Sequence, residues 1–384
     1  MRKRITNVFS LLFSDILTGF SFGIFTTYIM LFLYDLGFDY VYLGLLNSIY
    51  FVSSVIWGFL GGHLADRFGR KITLALGRGL FVLMFILIAY GQISYIWIIF
   101  FLEGAGYAIS GTAREALLGE SLAEEERGFY YNLINSMFGL GYGIGAYYCA
   151  LQVKQYGLIK VFYTVNMVAA LMGLVATIAL IFLRETFIKS GKRGGVGLRY
   201  LINKNFLKLF LVTVILFVGL EFLWLYISLY AVEALGVTEA EWGVLSAVLF
   251  PLNALLSPIL GKIADKIRLR VSLFMGATLI YLYSLLLAFP LGIGAIYLGC
   301  LFVIDIIGEG FLWPSFFKIE LELTDKETRG RVFGLVTSLT EIVRAGIAPG
   351  IGIIYSKYKR AIFLIGGHLI LVLSPIAFKR KEKE

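Results

Sequence analysis

Twelve apolar runs, each close to the ~20 residues that carry a helix across a bilayer, leave this 384-residue chain little choice of fold. They lie near 9–34, 41–64, 72–92, 95–118, 128–152 and 160–183, then near 206–232, 240–264, 271–290, 293–317, 331–355 and 361–378. With 59% hydrophobic and only 15% charged residues, a water-soluble domain of this length could not hide so much apolar surface. The expected class is an all-α membrane protein with twelve transmembrane helices.

The runs fall into two sets of six, and a short motif repeats between them. Gly62-His63-Leu64-Ala65-Asp66-Arg67-Phe68-Gly69-Arg70-Lys71 separates spans 2 and 3. Gly261-Lys262-Ile263-Ala264-Asp265-Lys266-Ile267-Arg268-Leu269-Arg270 separates spans 8 and 9, a period of 199 residues from position 62 to position 261. A chain that repeats at its midpoint inside a membrane has the architecture of a secondary transporter. The expected domains are a six-helix bundle over 1–184, a basic linker over 185–204 and a second six-helix bundle over 205–384.

Lys and Arg crowd the N-terminus, the loops after spans 2, 6, 8 and 10, and the tail Lys379-Arg380-Lys381. By the positive-inside rule both termini are cytoplasmic. Met1-Arg2-Lys3-Arg4 opens like a signal peptide, but the apolar run behind it is too long and no small-residue cleavage site follows, so it is read as the first span. The formal charge of +9 reflects this topology and contact with anionic headgroups, not nucleic acid. Cys149 and Cys300, both within spans, make neither a disulfide framework nor a CxxC site.

The first motif closely resembles the signature loop of the major facilitator superfamily, and the weaker copy after span 8 is usual there too. The resemblance covers the whole chain and implies that family's fold: two pseudo-symmetric six-helix bundles that rock by alternating access. Gly62 and Gly69 suit close helix approach and a tight turn. Asp66, just before span 3, is placed to meet the positive end of a helix dipole. Arg67, Arg70 and Lys71 are placed to pair with an acid at the end of span 4, Glu115 or Glu120. In the family such a network latches the cytoplasmic side in one state and breaks in the other. A merely basic turn would not explain why Asp66 and Asp265 recur. The second copy keeps Gly261, Asp265, Lys266 and Arg270, but Arg268 replaces its second Gly and Leu269 its first Arg.

Ionisable groups deep in spans are costly and usually functional. Asp15, Glu103, Glu221, Asp305 and Glu309 lie on spans 1, 4, 7 and 10, which the resemblance makes the lining of a central cavity. Asp305 and Glu309 are four apart on one helix face, and two such carboxylates cannot easily both ionise, as a proton carrier requires. The plain alternative for each is a hydrogen-bonded packing residue, and for Asp15, near the end of its span, solvation. Glu341 and Arg344 are expected to pair, and Arg78 and Arg114 to snorkel or pair locally. Glu103-Gly104-Ala105-Gly106 resembles a family span-4 pattern in which Gln stands at the Glu103 position. Phe100 stands where many proton-coupled members carry Arg, which shifts weight onto the carboxylates. Span 5 carries Gly139, Gly141, Gly143 and Gly145 without the proline of the family's drug–proton antiporters; such a stripe is commonly a packing face. Among aromatics on the lining spans, Tyr107, Trp224 and Trp313, with Phe20, Tyr28, Phe222 and Tyr226, offer rings to an apolar or cationic ligand.

The leading expectation is a proton-driven exporter of lipophilic or cationic small molecules in the plasma membrane. The alternative is a symporter importing a sugar or other polar nutrient, and a third is a membrane receptor that kept the fold and lost transport. An enzyme is not expected: there is no P-loop, no metal-binding cluster, and the histidines His63 and His368 are isolated. No cofactor is expected. The expected partners are a small-molecule substrate, protons and the bilayer, with a monomer sufficient for transport.

Overall fold

The computed structural model describes residues 2–91, 93–122, 124–186, 203–325 and 329–377. Most of the expected linker, residues 187–202, and the basic tail from 378 lie outside the described residues. Helices follow the apolar runs closely. They are α1 (Arg2–Asp35), α2 (Tyr40–Phe68), α3 (Arg70–Ala89), α4 (Ile96–Ser121), α5 (Glu124–Tyr156) and α6 (Leu158–Ala179). The second set is α7 (Lys204–Trp224), α8 (Ile227–Glu233), α9 (Glu239–Lys266), α10 (Leu269–Ala288), α11 (Gly294–Glu322), α12 (Arg329–Lys357) and α13 (Ala361–Ala377). Ten described segments are long and apolar enough to cross a bilayer, α7 and α8 counting as one. The charged start of α5 and the shorter α13 account for the other two of the expected twelve.

The seventh span departs from expectation. Its apolar run reads as one helix over 206–232, yet the helix ends at Trp224 and restarts at Ile227. Neither glycine nor proline marks the break, so the cause is packing. The fully buried Tyr226 ring stacks on Tyr355 of α12 at 4.8 Å, and the Tyr230 hydroxyl donates to the Leu287 carbonyl at 2.7 Å.

The chain divides into two compact units, Met1–Gly191 with Val237–Ala254, and Lys192–Gly236 with Leu255–Glu384. The first half of α9 thus groups with unit 1, although its place in the repeat belongs to the second half. In unit 1, α1 packs on α5 and α6, α3 packs on α4 and α6, and α2 packs on α4. In unit 2, α7 packs on α12 and α13, and α10 packs on α11 and α13. Under the repeat, α1, α3, α4, α5 and α6 correspond to α7, α10, α11, α12 and α13, so all of the main pairings of unit 1 except α2 on α4 recur in unit 2.

Lipid is as apolar as leucine, so these pairings rest on close van der Waals fit. The α5 glycines show how. A Cβ at Gly141 or Gly145 would land on the backbone of Ile16 or Phe20 of α1. One at Gly139 or Gly143 would press on α9, at Ala254 or at Pro251 and the Ala247 carbonyl. The stripe is a two-sided packing face, its glycines alternating between two neighbours. The α9 segment is pinned further by Trp242, whose indole N–H donates to the Thr27 carbonyl at 2.8 Å, and by Phe250, stacked on Tyr142 at 3.9 Å.

Candidate transport site and latch

The turn between α2 and α3 is one residue long. Gly69 makes it with φ +92°, a conformation open to glycine. Arg70, the first residue of α3, is only 5% exposed and carries a dense set of bonds. Its Nη1 donates to Asp66 at 2.8 Å, and its Nε and Nη2 donate to the same Glu120 oxygen at 3.2 and 3.1 Å. Of the two acids expected at the end of span 4, Glu120 is therefore the partner, while Glu115 is exposed and makes no ion pair among the described residues.

Asp66 is bonded to the side chain of Arg70, and among the described residues no hydrogen bond joins it to the first backbone N–H groups of α3. Glu185, just past the end of span 6, fills that place: its two oxygens accept from the backbone N–H groups of Arg70 at 3.0 Å and Lys71 at 3.1 Å. A carboxylate there satisfies two unpaired donors and the positive end of the helix dipole together. Thr186 then donates to Glu120 at 2.7 Å, and Asn7 of α1 bonds both the N–H and the carbonyl of Arg184. The exit from α6 is thus bound to the α2–α3 turn and to the start of α1. Gly62 also departs from expectation: nothing lies within 4 Å of a Cβ there, and it is Gly61 that packs on Ile109 and Thr112 of α4. Arg67 lies over the Phe68 ring, 5.4 Å from its centre, and the Lys71 ammonium donates to the Ile181 carbonyl.

The second copy is sparser. Asp265 pairs with Lys318 of α11 at 2.9 Å, with the two side chains 63% and 37% exposed. Lys266 and Arg270 are exposed, and Gly261 has only Pro314 near a would-be Cβ, at 3.9 Å.

Deep in unit 1, Asp15 is 1% exposed, so it is not solvated. One of its oxygens accepts from Arg78 of α3 at 2.5 Å and the other from Arg114 of α4 at 2.9 Å; Arg114 also donates to Asn135 of α5 at 2.8 Å. In unit 2, Glu221 of α7 accepts from Arg344 of α12 at 2.6 Å, and Arg344 also bonds Glu341 at 2.9 Å, the pair expected from their spacing. Sequence reasoning named these acids but missed two partnerships: Asp15 with both Arg78 and Arg114, and Glu221 with Arg344. The signal lay in the arginines, since a guanidinium buried in a bundle needs a carboxylate within reach.

The remaining acids are held differently. Asp305 is 1% exposed, its Oδ1 has no hydrogen-bond partner, and it makes no ion pair with any described residue. Glu309, one turn further along α11, and Glu103 of α4 are half-buried. Of the aromatic candidates, Tyr107 is exposed, Trp224 stacks on Phe302 at 5.6 Å, and Trp313 meets Phe217 edge-on at 5.7 Å. Tyr28 and Tyr226 are fully buried and offer no ring face in this structure. His63 bonds the Phe59 carbonyl and His368 packs on Tyr281, both as local structural contacts.

Comparison with known proteins supplies the family. The model of the Major Facilitator Superfamily matches residues 11–349. This chain belongs to the major facilitator superfamily. As a member it is a multi-pass membrane transporter of small molecules and not an enzyme. Among curated relatives, the multidrug resistance protein MdtG of Escherichia coli O6:K15:H31 is 26% identical over 376 residues, covering 92% of this chain and 89% of that protein. MdtG of Escherichia coli K12 is 25% identical over the same length. Solved structures share the superfamily fold. A nucleoside transporter, NupG, aligns with a TM-score of 0.78 at 13% identity, over 97% of this chain and 100% of that one. A D-xylose-proton symporter aligns with a TM-score of 0.76 at 11% identity, over 98% of both.

Proposed function

We propose that this transporter is a proton-coupled exporter of lipophilic or cationic small molecules. It works by alternating access, as a monomer in the plasma membrane with both termini cytoplasmic, its halves 1–184 and 205–384 joined by the linker 185–204. The observation that carries the reading is Asp305. A coupling carboxyl must gain and lose a proton once per cycle. Protonating Asp15 would strand two arginines and protonating Glu221 would break its pair with Arg344, whereas Asp305 can change state without breaking an ion pair to any described residue. Glu309, four residues on along the same helix, is its natural partner in that exchange, and Glu103 is a further half-buried acid without an arginine. In this reading Tyr107, Trp224 and Trp313 offer rings to an apolar or cationic cargo. Export is supported by the multidrug resistance relatives, whose likeness runs over nearly the whole chain.

The latch has its own part in the proposal. Arg70, Asp66, Glu120 and Glu185 hold the α2–α3 turn in one state, with Gly62, Arg67, Gly69 and Lys71 shaping it, and release it in the other. Gly261, Asp265, Lys266 and Arg270 form its weaker counterpart.

The test is proton movement in sealed proteoliposomes holding a pH dye, with wild type beside the double variant Asp305→Asn/Glu309→Gln. Proton efflux on adding a lipophilic cation, lost in the double variant, is the expected result. Proton uptake with a sugar would replace export by nutrient import. Transport of a cation that moves no protons would remove the coupling.

A further inference from the structure

We infer that unit 1 carries a binding site for an anionic group, a carboxylate or a comparable oxyanion, built on Arg78, Arg114 and Asn135. Two guanidinium groups share one carboxylate there, so the cluster holds one more positive than negative charge. A buried charge without a counter-charge is costly, and the donors around it are not all in use. Arg78 Nε is buried with no acceptor. Arg114 donates through Nε and Nη2 to Asp15 and Asn135, leaving Nη1 without a hydrogen bond among the described residues. Asn135 accepts through Oδ1, leaving its amide N–H groups to give.

Both guanidinium groups are held on the two oxygens of Asp15, which places Arg78 and Arg114 side by side. The planar fork of a guanidinium matches a carboxylate or phosphate better than a halide. Arg78 and Asp15 are buried, while Asn135 and Tyr131, whose ring lies 5.7 Å from the Arg114 guanidinium, are exposed, so the cluster runs from the interior to the surface of unit 1. A cation–π contact on one face of Arg114 still leaves its edge free to donate. The other acid near by is Glu115, next in the chain to Arg114. It is exposed and forms no ion pair among the described residues, so it tempers the surplus by its charge without occupying the donors. No cluster like this occurs around Arg344 in unit 2, where the acids outnumber the arginine.

The test uses purified full-length protein in detergent and follows the midpoint of thermal unfolding by tryptophan fluorescence. Sodium benzoate, acetate and sulfate are titrated at ionic strength held constant with sodium fluoride, and benzamide and benzylammonium serve as neutral and cationic counterparts of benzoate. A saturable rise of the midpoint with benzoate, absent with its two counterparts, is the expected result. Equal rises with acetate and sulfate would identify the ligand as a small free anion; a rise with benzoate alone would identify an acidic group on an organic molecule. Arg114→Gln should weaken the apparent Kd about tenfold or more, the worth of a lost charge-assisted pair. Asn135→Ala, at an exposed position, should weaken it several-fold and guards against a misfolded arginine variant. Asp15→Asn should enlarge the anion's effect. No saturable rise with any anion, an equal rise with benzamide, or an unchanged Kd in both Arg114→Gln and Asn135→Ala would overturn the site. The readout is binding without flux, so it stands or falls apart from export and proton coupling.

Discussion

The two units share most of their helix pairings but carry opposite charge arithmetic in their buried clusters. In unit 1 one carboxylate, Asp15, sits between two arginines; in unit 2 one arginine, Arg344, sits between two carboxylates. The loop motif differs between the units as well, in another way. Arg70 is buried against two acid side chains in unit 1, while in unit 2 the motif acid meets a single exposed lysine. Helix packing has therefore been kept between the repeats while the electrostatics have diverged. Backbone fit tolerates such divergence because α1–α5 and α7–α12 pack largely through apolar and small residues, leaving charged positions free to change sign.

The sharpest way to break the comparison is to remove a central charge in one unit and a flanking charge in the other. Asp15→Asn leaves two buried guanidinium groups facing each other and should cost about 3–5 kcal/mol. Glu221→Gln leaves Arg344 still paired with Glu341 and should cost about 1–2 kcal/mol, the worth of one charged hydrogen bond. Unfolding of both variants in the same detergent decides it; equal losses would mean that the centre of each cluster is not where its stability resides.

Next in size is the latch. Arg70→Gln removes a 5%-exposed guanidinium from Asp66 and Glu120. Because both partners are partly solvated, the cost should be about 2 kcal/mol. Lys318→Gln breaks only an exposed pair and should cost under about 0.5 kcal/mol. If Lys318→Gln proved the more damaging to stability, the two copies would have to be read as equal partners.

How much of this was legible beforehand follows from the kind of force involved. Span positions were legible because a bilayer imposes length and hydropathy residue by residue, and most helix ends fall within a few residues of the apolar runs. The acids of the buried clusters were legible too, since charge in a span is rare. Which arginine each acid meets was not: Asp15 and Arg78 are 63 residues apart, and only the α1–α3–α4 packing brings them together. The break at Trp224–Ile227 left no mark because Tyr226 and Tyr230 make it through tertiary contacts. Glu185 was missed for a related reason. Asp66 lies nearer to α3 in sequence, and nothing local says that the chain leaving α6 returns to the same helix end.

Glycines offer a smaller contrast. Gly141→Ala would drive a methyl into the Ile16 carbonyl of α1 and should destabilise by about 1–3 kcal/mol, as overpacking does. In α12, the counterpart of α5, nothing lies within 4 Å of a Cβ at Gly346 or Gly350. Gly350→Ala should therefore be neutral in packing and raise stability by about 0.5–1 kcal/mol through helix propensity. Should it instead lower transport while raising stability, the open space beside Gly350 is needed in another state of the cycle.

A further modest effect concerns Glu185. Its carboxylate caps α3 by accepting from the backbone N–H groups of Arg70 and Lys71. Glu185→Ala should cost unit 1 about 1 kcal/mol, a typical cap. Glu185→Gln separates two contributions: the amide oxygen can still accept one backbone N–H, but the charge facing the helix dipole is gone. If the dipole matters, Glu185→Gln should recover less than half of the loss, and added salt should narrow the gap between wild type and variant. If Glu185→Gln behaves as wild type, the hydrogen bonds alone hold the turn. Gly69→Ala tests the same corner from the backbone side, since its Cβ would meet the Glu185 carboxylate at a φ that alanine disfavours. Combined with Glu185→Ala, the clash disappears and only the φ penalty remains, so the double variant should be less damaged than the sum of the two singles.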